Sequence, residues 1–355
     1  MNAAEQGRDD RAWVEVDLAA LVENARTIAR VSGARLLPVV KADGYGLGAA
    51  AVARALEPLD PWGYGVATAE EGAALRAAGI IRSILVLSPG RPALFRELDE
   101  HRLTPSLGDA ASISAWTARG ERSFHVEIDT GMGRAGIRWN DVDNLREVCA
   151  TPYFEGCYSH PHSAERMDGS AEAQLERFQG AVARLPRKPS LLHFANSAAA
   201  LRDRKFAFDL VRPGIYLYGG LGEARPVARL RARVVSVRRV RRGESVSYGA
   251  LWSATRDSTV ATLGIGYADG VRRNLTSDAR VLIHGKACPV AGVVTMDLMM
   301  VDVGDLAVAV GDVATLIGTD GAAELTVHDW AKWSGTVTYE VLTSLGSRLP
   351  RVYPA

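Results

Sequence analysis

Lysine is scarce in this 355-residue chain: of 42 basic residues only Lys41, Lys188, Lys205, Lys286 and Lys332 are lysines, and the rest are arginines. A GC-rich genome, which favours arginine codons, accounts for the bias. It leaves a sharper question, because a guanidinium stays charged at any ordinary pH whereas an amine can lose its proton. Cysteine is scarce too. Cys149, Cys157 and Cys288 show no C-x-x-C spacing and cannot all pair with one another, which points to a reducing compartment. There is no excess of one charge: 42 basic against 41 acidic residues give a net +1, with no long run of either sign, so nucleic acid is not an expected partner. No apolar run approaches the roughly 20 residues that cross a bilayer. The first ten residues are polar and acidic, without the basic and apolar regions of a signal peptide. A cytoplasmic protein away from the membrane is the expectation.

What the chain does have is a composition able to bury a large core, 47% hydrophobic and 23% charged. Its length fits an α/β barrel with a second domain. From residue 12 to about 225, short β-rich runs alternate with stretches of helical period. Trp13 to Val16, Arg35 to Val40, Tyr64 to Ala67, Ile84 to Leu87, His125 to Ile128, Gly156 to Ser159, Leu191 to His193 and Leu210 to Val211 read as strands. Repeated βα units predict parallel strands and a TIM-like (β/α)8 barrel, with an open doubly wound sheet as the competing layout. Gly and Pro cluster at 219–226, and beyond them short alternating strands separated by turn residues predict a mainly antiparallel β domain over 226–355, on which residues 1–11 could pack.

The strongest local feature is Val39-Val40-Lys41-Ala42-Asp43-Gly44-Tyr45-Gly46-Leu47-Gly48, where an apolar strand runs into a lysine and then a glycine-rich turn. The carboxyl ends of barrel strands face the active site, so Lys41 is expected in the catalytic mouth. Partial desolvation of an amine there makes it a nucleophile for a carbonyl or a general base, and covalent attachment of pyridoxal phosphate is the commonest use.

This segment resembles the cofactor-lysine signature of the alanine racemases, fold-type III pyridoxal-phosphate enzymes. Five more segments are similar to the same family in the same order: HVEIDTGMGRAGI at 125–137, HFANSAA at 193–199, VRPGIYLYG at 211–219, VSYGA at 246–250 and LGIGYADGVRR at 263–273. The resemblance implies a racemase of L- and D-alanine, an isomerase that supplies the peptidoglycan precursor D-alanine. It implies pyridoxal 5'-phosphate as cofactor and a homodimer that shares its active sites.

The resemblance also implies a role for each matching residue. Lys41 holds the cofactor and serves as base on one face of the substrate α-carbon. Tyr248, from the second subunit's β domain, serves the opposite face, since racemisation needs a proton removed on one side and delivered on the other. His160 hydrogen-bonds that tyrosine. Arg212 faces the pyridine nitrogen, which an arginine cannot protonate, so the ring is a weaker electron sink and side reactions are restrained; fold-type III decarboxylases have a carboxylate there. Tyr45, Ser197 and the backbone of Gly214 and Ile215 hold the phosphate. Arg134 positions the cofactor's phenolic oxygen and the substrate carboxylate, and Met296 and Tyr267 shape the substrate end.

Four departures from the family pattern stand out. Glu127 occupies the position, seven residues before Arg134, where many members carry a carbamylated lysine, and a glutamate there implies that Arg134 is held without carbon dioxide. His160-Pro161-His162 replaces His-Phe-Ala, Ser347 stands where some members have a phosphate-binding tyrosine, and Leu298 where many have glutamine. These bear on substrate choice and rate more than on reaction type. The alternatives are racemisation of another small amino acid such as serine, or a non-catalytic pyridoxal-phosphate homeostasis protein. Such proteins lack the β domain and its tyrosine. A metal pair at His160 and His162 is disfavoured, because only His193 offers a further ligand. No G-x-G-x-x-G follows a strand, so dinucleotide binding is disfavoured as well.

Overall fold

The computed structural model describes residues 10–275 and 278–354, so of the segment 1–11 that was expected to pack on the β domain, residues 1–9 lie outside the described residues. The chain divides into two compact units. One is Val22–Gly44 with Ala49–Leu217; the other takes the described residues up to Leu21, Tyr45–Gly48 and those from Tyr218 on.

The first strand, Ala12–Val16 (β1), belongs to the second unit. The barrel of the first unit is built from Arg35–Leu36 (β2), Gly63–Val66 (β3), Ser83–Pro89 (β4), Thr104–Leu107 (β5), Phe124–Asp129 (β6), Phe154–Tyr158 (β7), Leu191–Asn196 (β8) and Leu210–Arg212 (β9). All pair in parallel, in the order β2-β9-β8-β7-β6-β5-β4-β3. The segment after β2 closes the ring. On one side the N–H groups of Leu37 and Val39 donate to the carbonyls of Val211 and Pro213; on the other, Gly65 donates to Pro38 and Val40 to Gly65. Strands such as β3, buried at every residue, carry no alternation because helices cover the outside and side chains fill the inside.

Two expectations about strands need correction. Trp13–Val16 is a strand, but its bonds run antiparallel to Ala228–Val240 (β10) and parallel to Arg351–Val352, so it is part of the β unit's sheet and not the barrel. Four of its five residues are buried; its partners lie more than 200 residues away and leave no local trace. The barrel strand β5 was not expected at all, because Thr-Pro-Ser-Leu is short and its proline removes a ladder donor.

In the second unit the 13-residue β10 is central. Its first half pairs with β1 on one side and Val313–Asp320 on the other, and its second half with Ser258–Leu263, all antiparallel. The Asp269 carboxylate, with no exposed surface, is held by Arg11 at 2.5 Å and Arg348 at 2.9 Å and accepts the Gly266 N–H.

At Gly63 in β3, a Cβ would lie 2.2 Å from the Ser83 carbonyl oxygen of the neighbouring strand. Gly63→Ala is therefore expected to force β3 and β4 apart and cost about 1–3 kcal/mol of stability. The measurement is the urea midpoint of the barrel's unfolding, which should fall; an unchanged midpoint would mean that this edge of the barrel yields freely.

Candidate active site

Immediately after the closing segment the backbone does something costly. Ala42, Asp43, Gly44 and Tyr45 follow one another at φ of 52°, 51°, 62° and 55°, a left-handed turn of which three residues are not glycine. Each such residue costs about 1–2 kcal/mol. Polar contacts offset the strain: the Glu71 carboxylate accepts the N–H of Ala42 and of Ala67, both at 2.7 Å, and Asp43 Oδ1 accepts that of Ala49. Strain so firmly held marks a functional position, and the residue it positions is Lys41. Burial lowers the Lys41 amine below its usual value and the Arg134 charge lowers it further, with Glu71 opposing both.

Arg212, at the end of β9, is 4% exposed. Its Nη1 donates to His193 Nδ1 at 2.9 Å and to the His193 carbonyl at 3.0 Å. Nη2 donates to the carbonyls of Ser159 (2.7 Å) and Phe194 (3.2 Å) and toward His160 Nδ1 (3.3 Å). Nε takes part in none of these bonds. Burial pulls the guanidinium down to about 10, which still leaves it charged at neutral pH. His160 is driven to about 3 by burial and by the charges of Arg212, Arg134 and Lys41, so it is neutral among three cations.

Ser197 begins the helix Ser197–Arg202. Its hydroxyl accepts from the N–H groups of Gly214 (2.9 Å) and Tyr216 (3.4 Å), so both acceptor positions are taken and the O–H is left to donate. Gly214 orients Ser197, whereas no hydrogen bond among the described residues takes up the Ile215 N–H. Glu127 is buried, and desolvation raises its carboxyl despite Arg134 and the Tyr158 hydroxyl. No ion pair within 4 Å joins Glu127 to Arg134 among the described residues, and the Arg134 charge acts on the carboxyl from beyond that distance. His162 is turned to the Ser163 hydroxyl at 2.8 Å while His160 faces Arg212, so the two rings do not converge as metal ligands would.

The remaining expected residues lie in the second unit. Tyr45 is buried, stacked on Tyr218 at 4.5 Å and tilted against Tyr339. Tyr248 sits on a tight turn, 70% exposed, between Ser247 and Gly249 at positive φ. The loop 293–296 binds this turn and the Tyr267 turn together: the Ser247 hydroxyl donates to the Val293 carbonyl, and the N–H groups of Tyr267 and Ala268 donate to Thr295 and Met296. Tyr248, Leu251, Tyr267, Met296 and Leu298 all stand exposed along this edge.

Sequence reasoning missed Glu71, Tyr158 and His125. Tyr158 carries a signal in retrospect, since it precedes His160 on β7 and packs under Arg212 at 5.0 Å. Glu71 does not, because its partners come from two separate turns.

Comparison with known proteins agrees with this geometry. Residues 16–222 match the family model "Alanine racemase, N-terminal domain" and residues 227–353 "Alanine racemase, C-terminal domain". The chain is 40% identical over 364 residues to an alanine racemase of Symbiobacterium thermophilum, with 96% of each chain covered. Among solved structures it is similar to the alanine racemase from E. faecalis, with TM-score 0.91, 31% identity and 98% and 99% of the two chains covered. It is also similar to that from Bartonella henselae with covalently bound pyridoxal phosphate, with TM-score 0.88, 30% identity and 97% and 99% covered.

The lowered amine has a thermodynamic consequence. Between the lowered value of Lys41 and its usual 10.5, the unfolded chain binds a proton that the folded chain does not, so stability rises with pH across that window. Below the window the charged amine costs the fold its full desolvation. In the cofactor-free protein Lys41→Met is therefore expected to raise the melting temperature at neutral pH, with the gain shrinking as pH climbs toward 10.5. A gain independent of pH would refute the assignment.

Proposed function

The chain belongs to the alanine racemase family, and from that premise we propose that it interconverts L- and D-alanine with pyridoxal 5'-phosphate held at the barrel's Lys41. The observation that carries this reading is the set of uncommitted donors around one deprotonatable amine. Arg212 keeps Nε free, Ser197 keeps its O–H and Ile215 its N–H, while Lys41, Arg134 and Arg212 give the site a positive field that suits a phosphate and a carboxylate.

When bound, pyridoxal phosphate supplies an electron-withdrawing ring that accepts the electron pair freed at the substrate α-carbon. Lys41 Nζ would hold it covalently, Ser197 and the backbone of Gly214 and Ile215 would bind the phosphate, and Tyr45 would complete that end. Arg212 would face the ring nitrogen, and because a guanidinium does not give up its proton at working pH it would leave that nitrogen unprotonated. Arg134 receives the substrate carboxylate, and buried Glu127 limits the excess positive charge.

The Lys41 amine would take or give the proton on one face of the α-carbon. Burial lowers that amine from its usual value, which makes its proton easier to give up. The phenol of Tyr248 takes or gives the proton on the other face. Its exposure, among the apolar residues of its edge, fits a group that acts in a second copy of the chain. His160, neutral beside Arg212, supplies the polar partner for that phenol, and Tyr267 and Met296 narrow the space beyond the methyl group of alanine. The β domain thus completes the partner's site. The three free cysteines fit a reducing cytoplasm, where D-alanine is supplied to peptidoglycan synthesis.

The purified protein is expected to be yellow and to exchange the α-proton of alanine with deuterium from solvent. Lys41→Ala should abolish exchange with both enantiomers, and Tyr248→Phe should impair one direction more than the other under single-turnover conditions. Mixing the inactive Lys41→Ala and the impaired Tyr248→Phe variants adds a test of sharing. A heterodimer of Lys41→Ala with Tyr248→Phe keeps one site in which Lys41 and Tyr248 are both intact, so activity should return on subunit exchange. No return of activity would mean that each subunit uses its own tyrosine; a colourless protein would overturn the cofactor, and faster turnover of serine than alanine the substrate.

A further inference from the structure

Behind Arg212 a line of buried side chains leads away from the site. His193 Nδ1 meets Arg212 Nη1 at 2.9 Å, and His193 Nε2 meets His125 Nδ1, also at 2.9 Å. His125 Nε2 is buried and has no hydrogen-bond partner among the described residues; the carboxylate oxygen nearest to it is Glu155 Oε2, at 3.7 Å. Both imidazoles are wholly buried, while Glu155, on β7, is partly exposed.

The chemistry of the first member fixes the rest. A guanidinium only donates, so His193 Nδ1 must accept, and its single proton must sit on Nε2. That N–H can donate only to His125 Nδ1, which in turn places the proton of His125 on Nε2, facing Glu155. The opposite direction would leave His193 accepting at both nitrogens, an imidazolate. A doubly protonated His125 would set two N–H groups against each other. The burial of the two rings, together with the nearby Arg212 charge, holds both below the ordinary histidine value, with Glu155 acting in the opposite sense on His125.

The packing is made for this arrangement. His125 pairs in register with Gly156, where a Cβ would lie 2.4 Å from the ring, and its far face lies against Trp62 with centroids 5.3 Å apart. His193 stacks on Tyr158 at 4.8 Å. Neither ring is free to flip and exchange its nitrogens.

We propose that Glu155 is a positioning residue for Arg212, acting through His125 and His193 in a directed chain of donors that runs from the guanidinium to the carboxylate. It anchors the far end opposite the Nε2–H of His125 that Arg212 dictates, so that the two rings stay in line and His193 keeps its lone pair on Arg212 while Nε is left for the cofactor. The functional part of this inference rests on Arg212 facing the cofactor ring; the tautomers do not.

The experiment uses the full chain with its histidines labelled with nitrogen-15. In the cofactor-free protein, nitrogen–proton correlation spectra should show His125 and His193, assigned through single-histidine variants, as neutral Nε2–H tautomers. Glu155→Leu should leave both tautomers in place, because Arg212 dictates them, but should move the resonance of the His125 Nε2–H group. Glu155→Gln should keep that resonance near its wild-type position, because the amide oxygen still accepts. In the loaded protein, Glu155→Leu should weaken pyridoxal phosphate binding about three- to tenfold, the size of one disturbed hydrogen bond, and shift the violet absorption band, with Glu155→Gln restoring most of both. An Nδ1–H tautomer at either histidine would overturn the chain, as would a Glu155→Leu protein whose His125 resonance, affinity and band match the wild type. A wild-type protein that takes up no pyridoxal phosphate would refute the reading of the site instead, and the tautomer spectra would still decide the chain.

Discussion

A charge that cannot be discharged lies inside the barrel wall, and the surrounding structure is arranged to hold it. Burying a guanidinium without partners costs far more than a domain can spare. Arg212 is tolerated because five contacts meet its two terminal nitrogens, three of them backbone carbonyls: that of Ser159, just beyond β7, and those of His193 and Phe194 within β8. The arginine therefore both depends on the barrel's carboxyl edge and ties its strands together. His193, Tyr158 and Ser159 are placed as they are because Arg212 needs a lone pair, a ring face and a carbonyl.

Lys41 is held on a different principle. Arg212 is fixed by hydrogen bonds to its own side chain, whereas among the described residues no hydrogen bond holds the lysine's side chain, and the backbone beside it is fixed instead. Four successive left-handed residues would not persist in a free loop, and Glu71 makes them persist by capping Ala42 and Ala67 at once. An amine that must exchange partners during turnover cannot be held by strong bonds at its tip. Rigid backbone with a free end is the arrangement that such a group requires.

These two principles explain what could be read from the sequence. Lys41 was legible because it is a local event: an apolar run, a rare lysine and glycines that the next turn requires. The barrel was legible from its repeating βα pattern, except at Thr104–Leu107, where a proline and a brief run hide a strand whose identity comes from its neighbours on both sides. The destination of Ala12–Val16 was not legible, since a strand-like run says nothing about which sheet buries it. Gly214 and Ile215 look alike in sequence, yet one amide serves Ser197 and the other does not, a difference set by a fraction of a turn. Glu127 and Arg134 are near in sequence and of opposite charge, but burial and exposure separate them: Glu127 is buried in the barrel, while Arg134 is exposed. The line from Arg212 to Glu155 is invisible for the same reason. Its members come from four strand segments and meet only through register.

The need for a second domain follows from barrel geometry itself. Parallel strands present every functional side chain from the same edge, so groups at the mouth approach a bound molecule from one side. Inverting a carbon centre requires groups on both sides of a plane. A barrel can supply the first and can hold the plane still, but the second must come from outside it, on an element that is itself firmly supported. The Tyr248 edge has that character. Its tight turn is braced by the loop 293–296, the same loop is tied to the Tyr267 turn, and beneath that turn lies Asp269 between two arginines. An exposed phenol so supported fits the proposed role, in which it acts in the site of a second copy of the chain.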